Sequence, residues 1–247
     1  MTSGASPFVN YDAVAQRYAV SRALGSDVLS VWRAAVEPQL SHRPRVVVDV
    51  GSGTGLFGRA WMKWTSADVV GVEPSSAMLR MAACSPVARV SYVQGVAEAL
   101  PLADHCVDVA WVSAAFHHFT DQQRAASELA RVLRKDGRVL LRGVVRERTP
   151  LSWLVLFPGR DKPLSRYPTL GRLEAVFGRA GLRLVATREV QEPGRTNGDQ
   201  ADWIESMRDA DSILTALSDD EIAAGVGALR QRPDETMPVS LTLTVFG

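Results

Sequence analysis

Lysine is nearly absent from this chain. Only Lys63, Lys135 and Lys162 occur, and arginine supplies the rest of the positive charge. An excess of either sign is missing too, since the formal net charge is +1 at neutral pH. Such a balance gives no footprint for nucleic acid, whose phosphates require a basic patch or stripe. Cysteine is scarce. Cys84 and Cys106 belong to no CxxC or metal-ligand spacing, which excludes a disulfide framework and fits free thiols in a reducing compartment. Long apolar runs are lacking as well. The most apolar short stretch, WLVLF at Trp153 to Phe157, stops at Pro158, far short of the roughly 20 residues that cross a bilayer. The opening residues MTSGASPFVNYD have neither the basic nor the apolar region of a signal peptide. No repeat or low-complexity segment occurs. His42 and His105 read as loop residues, and no metal-binding constellation is present. The expectation is a soluble, cytoplasmic protein with no metal and no nucleic-acid or membrane partner; its oligomeric state is not readable.

Hydrophobic residues make up 46% of the chain, enough for a substantial core. Their order alternates between two patterns. RVVVDV at Arg45 to Val50 is a β-branched run, followed by glycines and a helical stretch at Leu56 to Trp64. Strands are predicted at Val69 to Glu73, Val90 to Gln94, Val107 to Val112 and Arg138 to Arg142. Helices are predicted at Ser75 to Cys84, with a serine N-cap, and at about Asp121 to Leu133. Asp136-Gly137 reads as a turn. Strands alternating with helices imply βαβ units and a parallel sheet covered on both faces. Prolines and glycines then make Gly143 to Leu170 a long irregular connection. A helix at Leu170 to Ala180, a strand at Leu182 to Val190, a loop at Glu192 to Asn197, helices at Asp202 to Leu217 and Asp219 to Arg230, and a final strand at Val239 to Phe246 follow, the last at or near a sheet edge.

The glycine stretch VVVDVGSGTGLFG carries two competing patterns. Gly53 to Gly58 is a formal GxGxxG, the dinucleotide fingerprint, with Glu73 roughly 20 residues on, where an acid would hold ribose hydroxyls. In that pattern the first glycine comes as the strand ends. Here Gly51 has that place, and the third glycine is then missing. The other pattern is E/DxGxGxG, with Asp49 at the end of a buried strand. A carboxylate there must be satisfied. It would repel a pyrophosphate and suit an ammonium group.

Several ordered motifs accompany the loop: YDAVAQRY at Tyr11 to Tyr18, VVVDVGSGTG at Val46 to Gly55, GVEPSSAML at Gly71 to Leu79, VQGVAEALPLADHCVDVAWVSAAFHHF at Val93 to Phe119 and ELARVLRKDGRVLL at Glu128 to Leu141. Together they make the chain resemble the class I S-adenosylmethionine-dependent methyltransferases, in particular the ubiquinone/menaquinone-biosynthesis branch. The resemblance implies an α/β, Rossmann-like fold: a seven-stranded, mostly parallel sheet with an antiparallel last strand and helices on both faces, plus helical cap insertions. It implies one methyltransferase domain over 1–247, with an N-terminal helical cover at 8–36 and caps at 143–170 and 191–238. S-adenosyl-L-methionine is the implied cofactor, held by Asp49, Gly51, Ser52, Gly53 and Gly55. Glu73 would take both ribose hydroxyls, Pro74 and Met78 would pack on the adenine, and the Ser113 carbonyl would meet the ammonium. Tyr18 would reach the methionine carboxylate, with Arg22 one turn further on. Val96 and Ala97 would flank the adenine. Val96 departs from the family, which usually has an acid there, and either Glu98 or backbone near Ala97 would then read the base.

Phe116, His117, His118 and Phe119 fall where the transferred methyl should point. A histidine there suits a general base, with an unperturbed pKa of about 6.5, or a pocket wall; His118 is favoured over His117. Tyr11 reads as aromatic packing. The expected acceptor is a small aromatic or apolar specialised metabolite, methylated on carbon, nitrogen or oxygen. Two other readings stay open: a nicotinamide-dependent oxidoreductase, and a non-catalytic or repurposed cofactor-binding member.

Overall fold

The computed structural model describes residues 9–13, 15 and 24–247. Its centre is a seven-stranded sheet in the order β3-β2-β1-β4-β5-β7-β6. The strands are β1 (Val46–Val50), β2 (Asp68–Glu73), β3 (Val90–Gln94), β4 (Val107–Ser113), β5 (Leu133–Gly143), β6 (Leu184–Thr196) and β7 (Thr236–Phe246). β1 pairs in parallel with β2 and β4, β2 with β3, and β4 with β5; β7 runs antiparallel to both β5 and β6. The sheet is therefore mostly parallel with an antiparallel last strand, as the sequence pattern implies.

Both faces are buried, and the period of two decides which residue meets which layer. Val48, Val50, Ala110 and Val112 pack with Leu129 and Phe177 on one face, beneath α4 (Gln122–Val132) and α5 (Leu170–Arg179). Val47, Val69, Val109 and Trp111 pack with Trp32, Phe57 and Trp61 on the other, against α1 (Ser26–Val36) and α2 (Leu56–Thr65). Asp49 alternates with Val47 and so shares the face of α2. Helix α3 (Ser76–Ala83) follows β2, capped by the Ser75 hydroxyl, which accepts from the Met78 amide at 3.1 Å.

A third apolar cluster joins two segments distant in sequence. Trp153, Leu154, Phe157 and Tyr167, from the connection after β5, pack on Ile204, Met207, Leu214 and Leu229. These come from the stretch between β6 and β7, which holds α6 (Asn197–Met207) and α7 (Asp219–Arg230).

Three local expectations are corrected. Asp136-Gly137 is no chain reversal but lies inside β5, where Asp136 has φ 65° and the register against β4 shifts between Val107 and Val109. A bulge absorbs the extra residues. Glu192 to Thr196 is not a loop but continues β6, with a register shift between Glu192 and Arg195 around Pro193-Gly194. Because β6 is the sheet edge, a proline there leaves no ladder bond unmade. Finally, α6 begins at Asn197, because the Thr196 hydroxyl accepts from the Asp199 amide at 3.0 Å. It ends at Met207, and a separate short turn at Leu214–Ala216 follows.

Candidate active site

The glycine loop leaves β1 at the carboxyl end of the sheet, beside the point where strand order reverses from β1–β2 to β1–β4. Gly51 has φ 73°, and a Cβ there would lie 2.6 Å from the Cβ of Ala115. Gly55 has φ 77°, and its Cβ would lie 2.1 Å from the Tyr92 hydroxyl oxygen. Both positions need glycine for conformation and for space. The loop is tied to β2: Gly51 N–H donates to the Val72 carbonyl at 2.8 Å, and Gly53 N–H donates to Glu73 Oε2 at 2.9 Å. The Ser75 amide donates to Glu73 Oε1 at 3.0 Å. Glu73 is buried, and desolvation raises its pKa although the two amides pull it down.

Asp49 lies one strand over and is 1% exposed, with Oδ2 lacking a hydrogen-bond partner among the described residues. Burial first, and then the neighbouring Glu73 carboxylate, push its pKa up to about 7; the Gly58 amide and Arg59 oppose the rise. A buried carboxylate oxygen without a donor is a site prepared for one.

These groups border a cavity of about 740 Å³. Its walls include Gly51, Gly53, Glu73, Pro74, Met78, Val96, Ala97, Ser113 and His118, all singled out from the sequence, together with Tyr11. Asp49 and Ser52 line an adjoining opening of about 560 Å³ that shares Gly51, Gly53 and Ser113. Gly55 lines neither and begins α2 beneath Tyr92. Met78 is at once core and wall. Glu98 is not a plain surface carboxylate, because its Oε1 accepts from the Thr120 amide at 2.7 Å, the Thr120 hydroxyl at 2.9 Å and the Asp121 amide at 3.1 Å. Tyr18 and Arg22 lie outside the described residues.

A second opening, of about 930 Å³, abuts the first, and the two share Tyr11, Ala114 and His118. The Tyr11 hydroxyl is 2.8 Å from His118 Nε2, so Tyr11 is more than apolar packing. Asp12 holds this segment over α3, accepting from the Ser75 hydroxyl at 2.6 Å and the Ala77 amide at 3.1 Å. Of these two openings, His117 borders only the second. Its ring lies tilted against His118 at 3.9 Å and Tyr167 at 4.3 Å between centroids, and its Nε2 is 3.0 Å from the Ser212 hydroxyl.

Ala114 sits at the junction with φ 51°, the left-handed region, a strain of roughly 1–2 kcal/mol for an alanine. Ala114→Gly should leave the melting temperature nearly unchanged, because relief of strain offsets glycine's entropy cost of roughly 0.5–1 kcal/mol. Ala114→Val, β-branched at a positive φ, should lower it by several degrees. Thermal melts of both variants without ligand check this; equal destabilisation would refute the strain.

Among the residues of the second opening that reading the sequence missed are Arg142, Glu192, Gln200 and Ser240. Arg142 and Glu192 are 6% and 8% exposed and form a buried ion pair of 2.5 Å. The signal for Arg142 was there, a charge closing the apolar run of β5; Gln200 and Ser240 have no such signal. Among the described residues no helix is long and apolar enough to cross a membrane, and no group of three or more His, Cys, Asp or Glu is placed to hold a metal ion.

Residues 48–141 match the family described as "Methyltransferase domain". The chain is 35% identical over 117 residues to the uncharacterized methyltransferase YcgJ of Bacillus subtilis, covering 46% of this chain and 45% of that protein. It is 30% identical over 135 residues to the ubiquinone/menaquinone biosynthesis C-methyltransferase UbiE of Acidiphilium cryptum, covering 52% of this chain and 54% of that one. The chain thus spans about half the length of the curated relatives it matches. Among solved structures, the [4+2]-cyclase SpnF superposes with a TM-score of 0.66 at 16% identity, over 98% of this chain and 97% of that one. That likeness is one of fold, and a fold does not carry its function with it. Taken with the motif order and the sheet topology, these matches show a methyltransferase domain at residues 48–141, similar to the class I S-adenosylmethionine-dependent methyltransferases of the ubiquinone/menaquinone-biosynthesis branch.

Proposed function

We propose that this protein transfers a methyl group from S-adenosyl-L-methionine to a small aromatic or apolar acceptor, on carbon, nitrogen or oxygen. The observation that carries the reading is the meeting of two openings at Tyr11, Ala114 and His118, one suited to the cofactor and the other to the acceptor. The residues fit the cofactor. Asp49 Oδ2 is a buried acceptor without a donor, suited to the ammonium. Glu73 spends one acceptor position per oxygen on backbone amides and has others for ribose hydroxyls. When bound, the cofactor supplies an electrophilic methyl on a sulfonium. The chain's own residues then have to align the acceptor and keep water out. His118 stands at the junction as the group able to take a proton from a hydroxyl acceptor, with Tyr11 on its Nε2; an electron-rich carbon or a neutral amine would need it less. Within this reading the chain is one domain over 1–247, with 8–36 as cover and 143–170 and 191–238 as caps. The cluster that joins Trp153 and Phe157 to Ile204 and Met207 supports the cap assignment.

Calorimetric titration with S-adenosylhomocysteine and with NADH, followed by transfer assays with labelled cofactor and a panel of aromatic acceptors, tests the proposal. Binding of NADH in place of S-adenosylhomocysteine, or transfer to protein or RNA alone, would overturn it. Cofactor binding with no transfer to any acceptor would favour a repurposed member.

The protonation of Asp49 gives a pH prediction. Its folded-state pKa of about 7 lies well above the ordinary aspartate range, so the neutral form stabilises the ligand-free fold and that contribution is lost as pH rises through about 7. An ammonium ligand needs the carboxylate. Affinity for S-adenosylmethionine should therefore fall as pH drops below 7, approaching tenfold per pH unit, and binding near neutrality should release protons. Asp49→Asn should bind weakly with a flat profile between about pH 6 and 8 (roughly one unit either side of half-titration). An unchanged slope in that variant would place the titration elsewhere.

A further inference from the structure

The second opening contains buried polar groups that the fold does not use. Gln200, on α6, is 4% exposed and lines the opening, yet its side-chain amide makes no hydrogen bond among the described residues. Ser240, on β7, is 3% exposed and its hydroxyl is likewise unbonded there. Glu192 takes both of its donors, Trp32 Nε1 at 2.6 Å and Arg142 Nη2 at 2.5 Å, on Oε1, which leaves Oε2 to the opening. Buried polar groups are ordinarily satisfied. Gln200, from α6, and Glu192, from β6, offer a donor–acceptor edge that awaits a partner, whereas Ser240 pairs with Gln191 across β6 and β7 and so leaves the ladder on the face opposite Glu192. The wall also carries aromatic rings, Trp153 and Trp203 lying edge to face at 6.4 Å between centroids, with Tyr167 and His117 beside them. Among the described residues, the acidic and basic side chains lining it, Arg142, Arg195, Glu192 and Asp211, balance in charge.

We propose that this opening takes an uncharged, planar aromatic or heteroaromatic acceptor whose far edge carries paired hydrogen-bonding groups, such as a lactam or vicinal hydroxyls, held by Gln200 and Glu192. A primary amide presents a donor and an acceptor side by side, the complement of a lactam edge. The carboxylate oxygen accepts a further N–H or O–H and repels an anionic substituent. The opposite end of the acceptor then points to His118 and the junction. A site built to bond such an edge also rejects analogues that lack it, because its own groups would stay buried and unpaired. This rests on the reading of the opening as the acceptor's, and it narrows that reading to a chemical class.

The test is calorimetry on the full chain saturated with S-adenosylhomocysteine, using three bicyclic probes: carbostyril, which has a lactam edge; quinoline, which lacks the N–H and the carbonyl; and quinaldate, which carries a carboxylate. Carbostyril should bind at least about tenfold more tightly than quinoline, and quinaldate most weakly. Gln200→Leu should erase the preference for carbostyril while leaving quinoline affinity within about twofold. Should Gln200→Leu fold poorly, Gln200→Met and the wild-type selectivity carry the same reading. Equal binding of carbostyril and quinoline, no carbostyril binding at millimolar concentration, parallel loss of both probes in the Gln200 variants, or tightest binding of quinaldate would overturn the proposal. Binding of S-adenosylhomocysteine is measured in the same samples. Its absence would sink the methyl-transfer reading while carbostyril selectivity of the ligand-free chain still decided the acceptor edge.

Discussion

Glu73→Ala should weaken S-adenosylmethionine binding by about two to three orders of magnitude while leaving the ligand-free fold close to its wild-type stability. Hydrogen bonds to a charged group contribute about 1.5–3 kcal/mol each. Two ribose hydroxyls on one carboxylate then account for roughly 3–4 kcal/mol, and 1.4 kcal/mol is a factor of ten. The variant loses more than the ligand contact, because Glu73 also accepts from the Gly53 and Ser75 amides and so holds the glycine loop in place. Stability moves the other way. Burial already raises the Glu73 pKa, so the ionised side chain costs the ligand-free fold something, and its removal offsets the loss of two amide partners. Glu73→Gln keeps one carbonyl acceptor and should fall between, at roughly tenfold. Calorimetry with S-adenosylhomocysteine, alongside melts without ligand, separates the two effects. A melting temperature that drops in step with affinity would reduce Glu73 to a structural residue.

Much of the molecule was legible in its order of residues because the governing rules are local. The valines of β1 announce a strand buried on both faces, and alternation alone places Asp49 toward α2. Asp49, Gly51 and Glu73 lie within a single strand–loop–helix–strand unit, where 25 consecutive residues fix their relation. The second opening is different in kind. Gln200, Glu192 and Ser240 come from three elements whose meeting depends on how β6 and β7 pair around Pro193-Gly194. A register shift there re-aims each side chain, and nothing in the local pattern reports it. Asp136-Gly137 shows the same limit on a smaller scale. The dipeptide favours a turn and Asp136 does take a left-handed φ, but pairing with β4 at Leu133 and again at Arg138 confines that preference to a bulge. Tertiary pairing overrides local propensity where the ladder on both sides is already satisfied.

Arg142→Met should be among the most damaging single changes outside the glycine loop, costing about 3–5 kcal/mol of stability, the usual effect of removing one partner of a buried pair. The guanidinium sits 4.8 Å from the Trp32 ring and 5.2 Å from that of Phe57, and donates to Glu192 at 2.5 Å. It thereby ties β5 to β6 and to α1. Methionine fills much of the volume but leaves the Glu192 carboxylate with only the Trp32 indole N–H as donor. For a chain of this size the loss corresponds to a fall in melting temperature on the order of 10 °C. The pair itself contributes little net stability, since two charges desolvated together roughly repay their own cost. The double variant Arg142→Met/Glu192→Leu should therefore recover most of the loss, and a thermodynamic cycle over the four proteins measures the coupling. The recovered protein separates structure from recognition. It should melt near the wild type and still bind S-adenosylhomocysteine, yet bind carbostyril more weakly, because Oε2 of Glu192 is gone from the acceptor edge. A double variant as unstable as Arg142→Met alone would show that packing of the guanidinium against Trp32 and Phe57, rather than the buried charge of Glu192, holds β5 to α1.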